Sequence, residues 1–236
     1  MPPVHGSLAR AYANGYDLSS YLTEVNVEAM QDTAETTTLG AAAKTYIPGL
    51  QDATLTANGI FDAAANAEDP VLAAAFGVAL AASGWVVAPV GDAFGNPAYG
   101  FAAHQTKYSP SAQVDDAVKF GVEAQSTSGK ERLLILEPLT AIVAGGNGAA
   151  IDNAAASSAG GVAYFQVHAF TGTTLTLKVQ SSPDNSVWTD LVTATVVTSG
   201  RKYERIAVAG SVPRYLRALW TATVTSASIF VGFGRY

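Results

Sequence analysis

Three histidines, His5, His104 and His168, are the first residues to test for chemistry in a chain that has no cysteine. A helical metal site needs ligands three or four residues apart, and none of the three has a His, Asp or Glu so placed in a helix. His168 falls on a strand face with Tyr164 and Gln166, where a structural role is expected. The adjacent carboxylates Asp115 and Asp116 are the residue types of a general acid–base pair. Neighbours on a strand point to opposite faces, however, so a turn carrying solvated charge is the expectation. The glycine pairs Gly145-Gly146 and Gly160-Gly161 lack the following helix and lysine that a phosphate loop requires. Pro183-Asp184-Asn185-Ser186 reads as a turn between strands, with too few acidic ligands for calcium. No nucleophile elbow, Walker-type loop or dinucleotide fingerprint is present. The expectation is a structural protein, not an enzyme, with no catalytic residue, no cofactor and no metal.

Two further groups point to binding. Arg201, Lys202, Tyr203, Glu204 and Arg205, with Arg214 and Arg217, suit an anionic partner or neutralisation by another subunit. Trp188, Tyr203, Tyr215 and Trp220 would suit a carbohydrate-binding module, although strand alternation accounts for most of them as core.

The elements that must carry these residues are mostly strands. Val25, Val27 and Ala29 alternate with Glu24, Asn26 and Glu28; Leu55 and Ala57 alternate with Thr54, Thr56 and Asn58. The same period marks 118–125 and 175–180, and further strands are expected at 8–13, 100–107, 132–136, 162–170, 203–208, 214–221 and 228–233. One helix is expected, with Asp69 as N-cap, Pro70 at the first helical position and Gly84 at its end. Val71, Leu72, Ala75, Phe76, Ala79 and Leu80 would pack its apolar face on a sheet. Its apolar run is too short to cross a bilayer, and the first residues lack the pattern of a signal peptide, so assembly in the host cytoplasm is expected.

Residues 144–161 are almost all Gly, Ala, Ser and Asn, which reads as a linker. The expected division is a β domain over 1–138, a linker or long loop over 139–161, and a second β domain over 162–236. Through Pro138 there are 6 Lys/Arg and 15 Asp/Glu, and from Leu139 on there are 7 and 4, so an acidic half precedes a basic one. Only 14% of residues are charged and the mean hydropathy is +0.20, which self-association would explain by covering surface. Residues 31–51 read as a long Thr- and Ala-rich loop, and a loop of that length is ordinarily functional or ordered by a partner. Its Thr36, Thr37 and Thr38 favour extended backbone and a hairpin that pairs with a neighbouring subunit.

Three stretches carry a resemblance. They are Ala13-Asn14-Gly15-Tyr16-Asp17-Leu18-Ser19, Asp32-Thr33-Ala34-Glu35-Thr36-Thr37-Thr38-Leu39-Gly40, and the run from Ile47-Pro48-Gly49-Leu50-Gln51-Asp52 to Gly59-Ile60-Phe61-Asp62. In order and spacing they resemble the major tail tube proteins of long, flexible-tailed (siphovirus-type) phages, over roughly residues 6–137. The resemblance implies a mainly β fold, a sandwich or half-barrel with one flanking helix. The C-terminal stretch around Val179–Leu191 and Arg214–Arg217 is similar to the jelly-roll-like sandwiches appended to phage structural proteins. The implied partners are copies of itself, as a hexamer or a pseudo-hexameric trimer stacked into a tube, and other tail proteins. The implied location is the virion tail, with DNA passing transiently through the lumen and no membrane involved. The alternative is a carbohydrate-binding or decoration module on a virion surface. The expected inter-subunit loop residues are Asp32, Glu35, Thr36, Thr37, Thr38, Leu39, Lys44, Tyr46 and Ile47.

Overall fold

The computed structural model describes residues 5–77 and 83–236. Among them a 3-10 turn at Gly6–Leu8 leads into β1 (Arg10–Ala13), β2 (Tyr16–Asp17), β3 (Leu22–Glu35) and β4 (Tyr46–Ile60). Helix α1 (Glu68–Ala75) follows, then β5 (Ser83–Ala88), β6 (Pro97–Ser111), β7 (Lys119–Ser126) and β8 (Glu131–Ile142). The chain ends with β9 (Gly146–Asn147), β10 (Ile151–Asp152), β11 (Gly161–Ser182), β12 (Thr189–Thr193), β13 (Lys202–Val208) and β14 (Tyr215–Arg235). The fold is mainly β, as the alternation requires, and the pairings with a described register are antiparallel.

Contacts divide the chain into two units. Unit 1 takes Met1–Ser20, Ser83–Gly100 and Glu131–Tyr236; unit 2 takes Tyr21–Ala82 and Phe101–Lys130. This is not the expected division at 138 and 161. Position 138 lies inside β8, and β9 and β10, within the expected linker, pair with β14. The small residues there serve close packing. A Cβ on Gly146 would sit 3.1 Å from the Trp220 ring, and the Trp220 Nε1–H donates to Ala144 O at 3.1 Å.

Within unit 1 the strand order is β12-β11-β14-β8-β6-β5-β1-β2, with β9 and β10 on β14 and β13 on β11. The expected strands 162–170 and 175–180 are two halves of β11, and 214–221 and 228–233 are two halves of β14. Thr171-Gly172-Thr173 has turn composition, yet the ladder runs through it with register shifts on both sides of Gly172. A Cβ on Gly172 would lie 2.5 Å from Val224 Cα, so glycine there admits a bulge, not a turn. One face of the ribbon buries Phe165, Val167, Leu177, Val179, Ile229 and Val231, and the other buries Tyr164 and Phe230 with Tyr12, Val86 and Ile135.

Unit 2 has the strand order β3-β4-β7-β6. The register sets Leu55 beside Ala124 and Ala57 beside Val122 on one buried face. Helix α1 lies on that face, where Gln105 Nε2 donates to Leu72 O at 3.0 Å. The helix starts two residues earlier than expected, with Ala67 at the N-cap and no side-chain cap. Asp69 is engaged elsewhere: the Tyr108 hydroxyl donates to its Oδ1 at 2.7 Å. The described helix ends at Ala75, followed by Gly77 at φ +77, and Gly84 belongs to β5. Ala79 and Leu80 lie outside the described residues.

Candidate self-association surface

The longest local feature of unit 2 is the β3–β4 hairpin, laddered from Leu22 opposite Gly59 to Glu35 opposite Tyr46. The expected loop over 31–51 is therefore largely ladder, and only 36–45 is turn. The Thr-rich backbone needs hydrogen-bond partners, and the Tyr46-Ile47 side of the same chain supplies them. Thr36 N–H donates to Thr45 O at 2.8 Å, Thr45 N–H to Thr37 Oγ1 at 3.1 Å, and Lys44 Nζ to Glu35 Oε2 at 3.1 Å. Gly40 closes the tip at φ +93, where a side chain would be strained. At the base of this distal part the register shifts between Gln31 and Thr33, and a Cβ on Gly49 would lie 3.0 Å from Asp32 Cβ.

All nine expected contact residues are on this hairpin. Asp32 and Glu35 are on β3, Tyr46 and Ile47 on β4, and Thr36, Thr37, Thr38, Leu39 and Lys44 in the turn. β4 pairs with β7 only over Thr54–Ile60, so the distal hairpin is two strands with both faces open. Residues 28–52 are all exposed, including Leu39 at 106% and Leu50 at 82% of full accessibility, beside Met30, Tyr46 and Ile47. β3 pairs with β4 alone; its other edge meets no strand among the described residues. An isolated two-stranded ribbon is marginal in water, and a free edge is a template for another chain.

Sequence reasoning missed the second part of the surface, the face of the four-stranded sheet opposite the helix. The register gathers Glu24, Asn26 and Glu28 of β3, Thr54, Thr56 and Asn58 of β4, and Lys119, Gly121, Glu123 and Gln125 of β7. His104, Lys107 and Ser109 continue it on β6. This face is polar from edge to edge, and Lys107 Nζ pairs with Glu123 Oε1 across it at 2.6 Å. The signal was present as the polar half of each alternation, but only the strand order puts those halves side by side.

The other candidates separate. His5 accepts from Ser7 N–H at 3.1 Å and caps the first turn; His104 belongs to the polar face. His168 is buried edge-on to Tyr12, centroids 5.0 Å apart, with both ring nitrogens unpartnered, and burial lowers it to about 4. Asp115 and Asp116 sit in an exposed turn, where Asp116 pairs with Lys119 at 2.5 Å. Asp184 organises the β11–β12 turn by accepting from Ser186 and Val187 N–H, and these bonds lower its carboxyl well below the usual range.

The four aromatics form no single platform. Trp220 is in the core, Tyr203 packs 6.1 Å from Tyr164, and Trp188 lies under the Arg217 guanidinium at 4.2 Å. The basic cluster is dispersed as well. Arg205 reaches the buried Glu131, donating Nε to Oε2 at 2.9 Å and Nη2 to Oε1, while Arg214 pairs with Asp152 at 2.6 Å. The Tyr164 hydroxyl and the Tyr236 hydroxyl (2.7 Å) complete the shell of Glu131, a buried ion pair that spacing alone did not signal. Among the described residues no group of three or more His, Asp or Glu could hold a metal, and no helix is long and apolar enough to cross a membrane.

No family model matches the chain, and no curated protein matches its sequence. Among solved structures, the chain is similar to one in the virion of a native gene transfer agent particle, with a TM-score of 0.46 and 12% identity over 55% of this chain and 98% of that one. A chain in the tail of an empty gene transfer agent particle, refined with C6 helical symmetry, gives 0.44 and 12% over 54% and 97%. The Dit protein of SPP1, described as a hub adsorption apparatus of phages infecting Gram-positive bacteria, gives 0.37 and 10% over 96% and 99%. At these scores neither fold nor function transfers to this chain.

Proposed function

We propose that the chain is a structural subunit of a phage tail tube, joining copies of itself into a ring whose unit 2 sheets line a DNA-conducting lumen. The observation that carries this reading is a sheet with one helix-covered apolar face, one open polar face, and two outer strands within unit 2. Those strands, β3 and β6, are first and last in a four-strand antiparallel order and so run in opposite directions. In a ring all copies point the same way, so β3 of one copy meets β6 of the next as an antiparallel pair. An even strand number makes such closure regular. β6 also carries Pro110 and Lys107 near its end, residues suited to a strand edge. The stretches that resemble tail tube proteins over 32–40 and 47–62 fall on β3, the turn and β4.

Strand arithmetic favours six copies over three. With ~4.8 Å between strands and ~40° of tilt, twenty-four strands close at a backbone radius of roughly 24 Å, and twelve at roughly 12 Å. Once side chains line the inside, the smaller ring leaves no room for a DNA duplex. The polar face carries Glu24, Glu28 and Glu123 against Lys107 and Lys119, so it offers phosphate no basic track to hold it.

Negative-stain microscopy and sedimentation of the purified chain test this. Rings or tubes of six copies of the 24.2 kDa chain are expected as concentration rises. Replacing 36–45 by Asn-Gly should leave the monomer folded and stop growth of the tube, since a two-residue turn still closes the ladder after the Glu35–Tyr46 pair. A strictly monomeric wild type at every concentration would sink the reading.

A further inference from the structure

Unit 1 carries two arginines on one sheet face without a counter-ion. β8 and β14 are antiparallel with Leu134 opposite Phe233, and continuing that register by two residues sets Arg132 opposite Arg235. Like charges so placed repel each other, and an anion between them removes the penalty. Among the described residues no carboxylate forms an ion pair with either: Glu131, on the other face of β8, is taken by Arg205, and Asp152 by Arg214.

Arg235 is held in place without being neutralised. Its Nη1 donates to Ala155 O at 2.7 Å, and its Nη2 to the carbonyls of Pro213 and Arg214. Its Nε–H is buried and has no acceptor, and burial alone lowers the guanidinium below its ordinary range. Beside the two arginines lies a recess of about 200 Å³ walled by Leu134, Leu136, Leu216 and Phe233, with Asn153 at its margin. Two forked cations over an apolar floor suit a carboxylate that arrives with apolar neighbours.

The β3–β4 hairpin has that composition. Asp32 and Glu35 stand among the exposed Leu39, Tyr46, Ile47 and Leu50. Charge divides accordingly: unit 2 holds 4 Lys/Arg against 11 Asp/Glu, a net −7, and unit 1 holds 9 against 8, a net +1. From Gln31 to the turn the hairpin extends about 17 Å as two bare strands, enough to reach another subunit. We propose that the Arg132–Arg235 recess receives the acidic hairpin of a second copy, a contact distinct from strand addition at β3. The proposal rests on the self-assembly reading and names one of its joints.

The absence of cysteine makes the test direct. A chain carrying Leu39→Cys and Asn153→Cys, mildly oxidised at rising concentration, should give covalent dimers and a ladder of larger species on non-reducing gels. Each single-cysteine chain should not. Ala155→Cys is the second position, in case losing the Asn153 bond to Arg214 O disturbs its loop. Adding Arg132→Glu, at an exposed site, should cut the cross-linked yield about tenfold with melting unchanged, and adding Asp32→Lys with Glu35→Lys should restore it. No cross-link from either pair, or a yield indifferent to Arg132→Glu, overturns the proposal. Binding of octanoate in the recess without cross-linking does the same, because the site then serves a free carboxylate. Wild-type rings without the cross-link would leave the tube reading standing and this joint refuted; cross-linked species without rings would do the reverse.

Discussion

Glu131 and His168 are buried titratable groups of unit 1 stabilised in opposite ways. Glu131 is charged and fully engaged by Arg205, Tyr164 and Tyr236, whereas His168 has no hydrogen-bond partner on its ring. Glu131→Gln keeps the shape and strands the Arg205 charge. The expected loss is about 3 kcal/mol, at the low end for a broken buried pair because Arg205 remains partly exposed. A Glu131→Leu/Arg205→Met double variant should cost less than the two single variants summed, as urea midpoints would show. For His168 the sign runs the other way in pH. Its folded value of about 4 lies below the ordinary 6.5, so the folded imidazole stays neutral while the unfolded one takes up a proton. That contribution is complete above about pH 6.5 and falls by up to ~1.4 kcal/mol per unit as pH drops toward 4. His168→Phe should flatten this part of the profile; equal losses for both proteins between pH 7 and pH 5 would refute the assignment.

At the level of elements, the bulged β11–β14 ribbon depends on a glycine that reads as a turn. Gly172→Ala should destabilise by about 1–3 kcal/mol, because its new Cβ meets the Val224 backbone and not a movable side-chain tip. Gly6→Ala is the control, with nothing within 4 Å of the added carbon. A melting temperature lowered by several degrees in the first variant and unchanged in the second is the expected thermal result. The hairpin teaches the same lesson from the other side. Its residues look loop-like in sequence because neither face is buried, so apolar alternation, the usual mark of a strand, is missing from 31–51 although the ladder is present. Alternation reports burial, and where burial awaits a partner the strand is silent.

For the whole molecule, the charge on the open face of unit 2 bears on what a lumen would do. Glu24→Lys, Glu28→Lys and Glu123→Lys together should leave ring formation intact, since all three side chains lie on the polar face and away from the helix-covered core. Assembled variant tubes should then retain duplex DNA at low salt and release it as salt rises, while wild-type tubes retain none. Filter binding at two salt concentrations measures this, and DNA retention by neither protein would mean that the face does not line a passage.

The sequence by itself determined the mainly β class and a helix beginning near Asp69. These follow from local properties: side-chain period and turn chemistry. Tertiary structure decided the rest. It moved the unit boundaries from 138 and 161 to a division in which Met1–Ser20 and Ser83–Gly100 join Glu131–Tyr236, because long-range strand pairing, not composition, decides what packs together. It made packing residues of Gly145 and Gly146, joined short strands through Gly172, and set Arg132 opposite Arg235 from parts of the chain that no spacing rule connects. It also turned the loop expected at 31–51 into a ladder whose outer edge and both faces stand open, and an open hydrogen-bonding edge calls for a second chain.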